Sequence, residues 1–142
     1  MNLILMNHTN KFRGKSLSTG EWVYGYYYAV PMTFNGSTEI SHAIVDSTGF
    51  IFKVDPKTVG QYIGIKDTND KEIYADDITD HKPVFEARYV VKYLASAFYL
   101  CPNNEDYGEH FSSLFAGHDG KDQCKSIIVI GNIHDNKNLL TQ

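Results

Sequence analysis

Residues 21–30 read EWVYGYYYAV, and the alternation in this stretch decides the class of fold. The side chains of a β-strand point to opposite faces at every second residue. One face therefore carries four aromatic rings, those of Trp22, Tyr24, Tyr26 and Tyr28. Pro31 cannot donate to a strand ladder, so we expect the strand to end, or to reach a sheet edge, at that residue.

The rest of the chain continues this pattern of short strands between turn residues. Strands are predicted at residues 21–30, 40–45, 50–54, 61–66, 72–74, 84–94, 98–101 and 126–133. Residues 105–116 have helix-compatible spacing, and residues 136–140 are expected to form one helical turn. The sequence thus predicts a mainly β chain with many short antiparallel strands and one or two short helices, arranged as a small barrel or two packed sheets.

The length and composition suit a compact cytoplasmic protein. The 142 residues allow a single domain over residues 1–142, or two small sub-barrels that share one core. Two cysteines are too few for a disulfide scaffold. The first positive charge, Lys11, follows the apolar start of the chain, whereas a signal peptide has its positive charge first. We therefore expect a cytoplasmic location and no association with a membrane.

Three segments keep an order and a spacing that span nearly the whole chain. They are residues 11–14 (KFRG) with 20–25 (GEWVYG), residues 54–67 (VDPKTVGQYIGIKD) with 71–74 (KEIY) and 77–78 (DI), and residues 130–136 (IGNIHDN) with 139–140 (LL). Together they resemble the YopX family of phage and prophage proteins. The second segment is the most specific, because so long a run is not expected by chance.

The resemblance implies an SH3-like barrel architecture and an infected or lysogenic bacterial host cell, and it implies no catalytic residue. One departure is visible, since Ala75-Asp76-Asp77-Ile78-Thr79 stands where the family has Gly-Asp-Ile-Val after the tyrosine. Glycine accepts a positive φ, and aspartate tolerates the left-handed region better than most residues. We therefore expect the departure to leave the fold unchanged.

An acidic cluster is the candidate for metal or acid–base chemistry. It consists of Asp76, Asp77, Asp80 and His81, which have the right atoms for a divalent ion. Aspartates at strand ends and turns commonly bond to nearby backbone amides instead, and we favour that role. The sequence has no nucleophile motif, phosphate loop or dinucleotide fingerprint, so neither an enzyme nor a cofactor is predicted. A metal-assisted hydrolase is the least favoured function.

The aromatic row is the candidate binding surface. Its residues and the basic residues before it are Lys11, Arg13, Lys15, Trp22, Tyr24, Tyr26 and Tyr28. Exposed rings of this kind stack bases while the basic residues meet phosphates. Buried rings fill the interior, and we favour burial because aromatic residues on barrel strands usually point inward. Partial exposure would indicate a protein interface, where Tyr and Trp are enriched.

Two functions follow from these patterns. The leading hypothesis is a small non-enzymatic interaction module that binds a protein partner, or a second copy of the chain through an open sheet edge. The alternative is a weak single-stranded nucleic-acid binder that uses the aromatic strand. The net charge of −4 argues against nucleic acid as the main partner, because such binding draws its affinity from neutralised phosphates.

Overall fold

The structure is a computed structural model that describes residues 10–81, 88–102, 105, 109–110 and 127–141. Its strands are β1 (Phe12–Lys15), β2 (Trp22–Phe34), β3 (Ser37–Val45), β4 (Ile51–Lys53), β5 (Gly60–Lys66), β6 (Glu72–Tyr74), β7 (Asp77–His81), β8 (Arg88–Leu94), β9 (Ala97–Pro102), β10 (Glu109–His110) and β11 (Ile127–Asn132). Short 3-10 turns lie at Pro56–Thr58 and Lys137–Leu140. The prediction of a mainly β chain is confirmed.

The described strands form two antiparallel sheets. One has six strands in the order β4-β3-β2-β1-β5-β6, and the other has five in the order β10-β9-β8-β7-β11. Within the described residues neither sheet closes into a barrel. A single bridge between Ser16 and Val54 joins the ends of β1 and β4.

β2 is longer than its sequence predicts. It runs through Pro31 to Phe34 and pairs with β3 along its outer half, with Pro31 opposite Ile40. β1 pairs with β2 only from Trp22 to Gly25. Pro31 therefore lies where β2 has passed its neighbour on that side, so the expected sheet edge is found and the expected strand end is wrong. The Asn35-Gly36 turn has φ angles of 49° and 77°, which this residue pair accepts readily.

The strands predicted at residues 84–94 and 98–101 are present in the described residues as β8 and β9, which pair with each other and are joined by Ala95 and Ser96. The helix predicted over residues 105–116 is wrong at Glu109–His110, which pair with Leu100 and Tyr99 as β10. Residues 84–87 and 111–116 of these predictions lie outside the described residues. The helical turn predicted at residues 136–140 is confirmed by the 3-10 turn at Lys137–Leu140.

The chain divides into two compact units, with the boundary between Gly64 and Ile65 inside β5. In the first unit Ala43, Ile44 and Val54 are buried. Gly14 on β1 lets this core close, because a Cβ at that residue would lie 3.2 Å from both Ile44 and Val54. The interpretation of residues 1–142 as one domain stays a prediction.

The second unit has an apolar core and two buried carboxylates. The core side chains are Ile73, Tyr74, Ile78, Val90, Val91, Leu100, Cys101, Ile127 and Val129. Asp67 accepts hydrogen bonds from the backbone amides of Asn69 and Lys71, and also from Val129 on β11. Buried carboxylates are tolerated where several donors compensate the lost hydration.

Among the described residues, no helix has the length and apolar character needed to cross a membrane.

Candidate functional site

One face of β2 carries a long row of apolar side chains, which we call the β2 face. Alternation along the strand places Trp22, Tyr24, Tyr26, Tyr28, Val30, Met32 and Phe34 on it. Tyr24 is 43% exposed and Tyr26 is 63% exposed, while Trp22 and Tyr28 are half-buried. The expectation that these rings fill the interior is therefore wrong for Tyr24 and Tyr26. The opposite face of the strand turns to the core, where Tyr27 contacts Phe12 and His42.

The basic residues of β1 lie on the same face as the rings. In the β1–β2 ladder Arg13 is opposite Tyr24 and Lys15 is opposite Trp22. Directly opposed residues point to the same side of a sheet. The guanidinium carbon of Arg13 lies 4.7 Å from the centre of the Trp22 ring, and the Lys15 Nζ lies 5.5 Å from it. Both cations are thus attracted to the ring face.

These contacts give the two cations different roles. Arg13 is only 5% exposed, so it supplies a fixed positive charge beneath the surface. Lys15 and Lys11 are half-buried, and long basic side chains keep their ammonium groups at the rim while their stems pack on apolar surface. We call Lys11, Arg13, Lys15, Trp22, Tyr24 and Tyr26 the ring–cation patch.

A cavity of about 270 Å³ opens within the patch. Two exposed tyrosines and one lysine line the same space, and the full lining is Lys11, Tyr24, Gly25, Tyr26 and Ser47. Gly25 forms part of this lining with no side chain. A Cβ there would meet the Val45 carbonyl oxygen at 1.9 Å, so the close approach of β3 to β2 requires glycine at this residue.

The turn that provides Ser47 is held by Asp46. One carboxylate oxygen of Asp46 accepts hydrogen bonds from the Thr48 hydroxyl and from the backbone amides of Thr48 and Phe50. The Thr48 hydroxyl, followed by these amides, holds the pKa of Asp46 below its ordinary value. The hydrogen bonds therefore favour the charged form of Asp46, whose carboxylate is turned to the turn that it caps.

Tyr28 separates the ring–cation patch from the outer part of the β2 face. It lies opposite Ala43, which is 2% exposed, and Lys53 lies opposite Ala43 on the other side. Tyr28 is thus a half-buried side chain beside a covered alanine. The row predicted from the sequence contained only aromatic residues and so lacked Val30. It also lacked Met32 and Phe34, which follow Pro31, where the strand was expected to end or to reach a sheet edge. Their period-two spacing after Tyr28 was the signal that could have found them.

The acidic cluster of the sequence analysis has structural contacts. Asp76 Oδ2 lies 3.0 Å from His134 Nε2, and Asp77 accepts the backbone amide of Tyr74. Asp80 lies opposite Arg88 in the β7–β8 ladder, and the side chain of His81 lies outside the described residues. In the described part of the chain, no group of three or more His, Cys, Asp or Glu side chains has a metal-binding arrangement.

The segment at residues 131–136 is also structural. Asn132 Oδ1 accepts the backbone amides of His134 and Asp135, and its Nδ2 donates to Asp135. Asn136 Oδ1 accepts the Asn132 amide in return. These reciprocal bonds fix a tight turn after β11, and such turns are the usual place for Asn and Asp side chains.

The fold and this surface define a mainly β protein with two antiparallel sheets and an exposed aromatic–basic face. The chain belongs to the YopX family, since the family model described as YopX protein matches residues 11–141. The crystal structure of protein EF1440 from Enterococcus faecalis aligns with 92% of this chain and 96% of that chain, at 19% identity and a TM-score of 0.47. No curated protein matches the chain.

Proposed function

We propose that the chain is a non-enzymatic interaction module that binds protein through the outer half of the β2–β3 hairpin, and that its first partner is a second copy of itself. We call residues 29–40 the ribbon. The observation that carries the proposal is that every residue of the ribbon is exposed although several are large and apolar. Val30, Met32, Phe34 and Ile40 have exposed fractions of 40%, 54%, 78% and 54%.

An exposed ribbon of this kind is poorly stabilised by itself. Two strands without a third strand or a packed face are marginally stable in water. The β1 ladder ends at Gly25 and the β4 ladder covers only Ala43 to Val45, so among the described residues neither neighbouring strand reaches the ribbon. Apolar side chains on both faces and open edges on both sides favour association with another protein surface.

The charges of the ribbon favour a second copy as that surface. Glu39 is the only charged residue between residues 29 and 41, so the strand edges lack the lysines that usually prevent pairing. A groove of about 490 Å³ beside Met32 and Phe34 is also lined by Glu39 and Lys53. A two-fold axis brings the same patch of two copies together, so an acid and a base in one patch complement each other across it.

We extend the proposal to the type of sheet arrangement in the first unit and to the cellular compartment. The first five strands follow the order β4-β3-β2-β1-β5, with a 3-10 turn before β5, and this order supports an SH3-like arrangement of the first unit. We propose the cytoplasm of an infected or lysogenic bacterial host as the compartment, because two cysteines are too few for the disulfide scaffold of a secreted domain.

The test is the mass of the purified chain in solution, measured by light scattering during size-exclusion chromatography. We expect a dimer of the 16.1 kDa chain, and a monomer for the double variant Met32→Ser with Phe34→Ser. The variant should keep the wild-type circular dichroism spectrum, because exposed residues contribute little to the core. Its urea midpoint should equal that of the wild-type chain diluted to a monomer, because association of native chains raises the apparent stability. Phe50→Ser is the matched control, since Phe50 is 62% exposed but lies outside the ribbon, and it should leave the dimer intact.

A monomeric wild-type chain would contradict self-association. The chain could then still bind a different protein. That proposal would require a partner purified from host-cell lysate, and the double variant Met32→Ser with Phe34→Ser should not bind it. Equal behaviour of the wild-type and ribbon variants in both measurements would remove the ribbon as a binding surface.

A further inference from the structure

The ring–cation patch lies at the other end of the β2 face from the ribbon, and it has a chemistry of its own. Its rings and cations run in parallel along two neighbouring strands, with Lys15 opposite Trp22 and Arg13 opposite Tyr24. Lys11 precedes β1 and lines the same cavity as Tyr24 and Tyr26. Each ring therefore has a positive charge beside it, which is the combination that tracks a single strand of nucleic acid.

The distance between Tyr24 and Tyr26 along β2 leaves room for one nucleic-acid base between their rings. Residues two apart on a strand are separated by about 6.8 Å along the strand. Stacked bases lie about 3.4 Å apart, so one base inserted between two rings needs about twice that distance. Tyr24 and Tyr26 have this separation in sequence and share a cavity lined by backbone at Gly25.

The net charge of −4 argues against nucleic-acid binding only if it is spread over the whole chain, and it is not. Residues 1–64 contain five Lys and Arg against four Asp and Glu, whereas residues 65–142 contain eight against thirteen. The first unit is therefore slightly basic, and the negative charge of the chain belongs to the second unit. Three of the five basic residues of the first unit lie in the ring–cation patch.

We infer that the ring–cation patch binds single-stranded nucleic acid, with a base stacked between Tyr24 and Tyr26 and a backbone phosphate at Lys11. Arg13, buried against Trp22, holds positive charge beneath the strand and does not contact it. Stacking accepts every base, so the binding is weak and has little sequence preference. This activity goes beyond protein binding by the ribbon and does not depend on it.

The experiment is a titration of the full-length chain with short single-stranded oligonucleotides at low salt. Binding is followed by anisotropy of a labelled oligonucleotide and by the fluorescence of Trp22, the single tryptophan of the chain. We expect dissociation constants on the order of 10⁻⁴ to 10⁻⁶ M. The double variant Tyr24→Ala with Tyr26→Ala should weaken binding by about 5- to 140-fold for each ring removed.

Matched variants separate stacking and charge from a general loss of structure. Tyr24→Phe with Tyr26→Phe keeps the rings and should keep the affinity. Tyr93→Ala removes a 55% exposed ring from β8 and should change nothing. Lys11→Gln should reduce the slope of log affinity against log salt by about 0.7, the value for one phosphate contact on a single strand.

Three results would overturn the inference: no binding at low salt, equal affinity for duplex DNA or an acidic peptide, or unchanged affinity in the Tyr24→Ala and Tyr26→Ala variant. Failure here is distinguishable from failure of the ribbon proposal. The ribbon variant Met32→Ser with Phe34→Ser should bind oligonucleotides normally, and the tyrosine variant should keep the mass of the wild-type protein.

Discussion

Gly25 sits between the two exposed tyrosines and beneath the cavity that they line. Gly25 is required because it packs against the backbone of Val45. A Cβ at Gly25 would be 1.9 Å from the Val45 carbonyl oxygen and 2.7 Å from the carbonyl carbon. Those atoms are backbone and cannot rotate away. The position of β3, and with it the turn that carries Ser47, therefore depends on the absence of a side chain at this residue.

We predict that Gly25→Ala lowers the free energy of unfolding by about 3 kcal/mol, because the new methyl group forces β2 and β3 apart. The measurement is urea unfolding followed by circular dichroism. Gly20→Ala is the matched control. Its φ is 73°, but no atom lies within 4 Å of the new Cβ, so it should cost only about 1 kcal/mol. Equal losses in the two variants would show that the clash at Gly25 is relieved without cost.

The backbone conformation of Asp76 was predictable from its residue type, whereas its contact with His134 was not. The residue type predicts that an aspartate can replace the family glycine at a left-handed backbone, and φ at Asp76 is 71°. The reason is local, so it was available from the residue type. The contact between Asp76 and His134 joins residues 58 positions apart, and the amide of Ile133 also donates to the Asp76 carbonyl. Such partners are set by the fold and not by neighbours in sequence.

At the scale of elements, strands whose apolar residues alternate were predictable from the sequence. Strands that lack this pattern and form only by pairing with a neighbour were not. The strand predicted at residues 84–94 is present as β8, because its apolar side chains recur at every second residue, at Tyr89, Val91 and Tyr93. Glu109 and His110 form a strand only because β9 offers its edge, and their own spacing suggested a helix. The aromatic row of β2 was recognised, but its exposed side was not, because alternation assigns residues to faces without saying which face is covered.

The turn between β8 and β9 has a composition that its geometry does not favour. Ala95 has φ of 46° and Ser96 has φ of 70°, although two-residue turns with two positive φ angles prefer Asn-Gly. We predict that Ala95→Asn with Ser96→Gly raises the free energy of unfolding by about 1 kcal/mol, since left-handed backbone costs about that much at residues with a Cβ. Urea unfolding tests it, and an unchanged or lower midpoint would contradict it.

At the scale of the whole molecule, the sequence predicts a small barrel or two packed sheets, and the described strands form two antiparallel sheets. The sequence predicts eight of the eleven described strands and misses β1, β7 and β10. Closure depends on tilt and stagger between strands, which no single strand encodes. The same limit applies to the candidate site. The members of the ring–cation patch were named from the sequence, whereas the ladder that sets Lys15 opposite Trp22 required the structure.

The net charge gives a prediction about association. The chain carries −4 at pH 7 and has a sequence isoelectric point near 5.8. Repulsion between copies is weakest where the net charge is near zero. We therefore predict that the dimer is tighter at pH 5.8 than at pH 8, as measured by sedimentation velocity over a dilution series. Phe34→Ser should abolish the difference, and a dimer that weakens toward pH 5.8 would exclude the ribbon contact as proposed.

The buried carboxylate of Asp67 has a consequence for synthesis of the chain on the ribosome. Its Oδ2 accepts the amide of Val129, which is 62 residues further along the chain. At ordinary rates of translation Asp67 is added to the chain roughly 3–12 s before Val129, its last hydrogen-bond donor. During that interval the carboxylate must stay hydrated, so the turn at Asp67 cannot be buried in its final form. The second unit is therefore completed only after β11 has been made, and a nascent chain cut short before β11 should be digested by proteases at this turn.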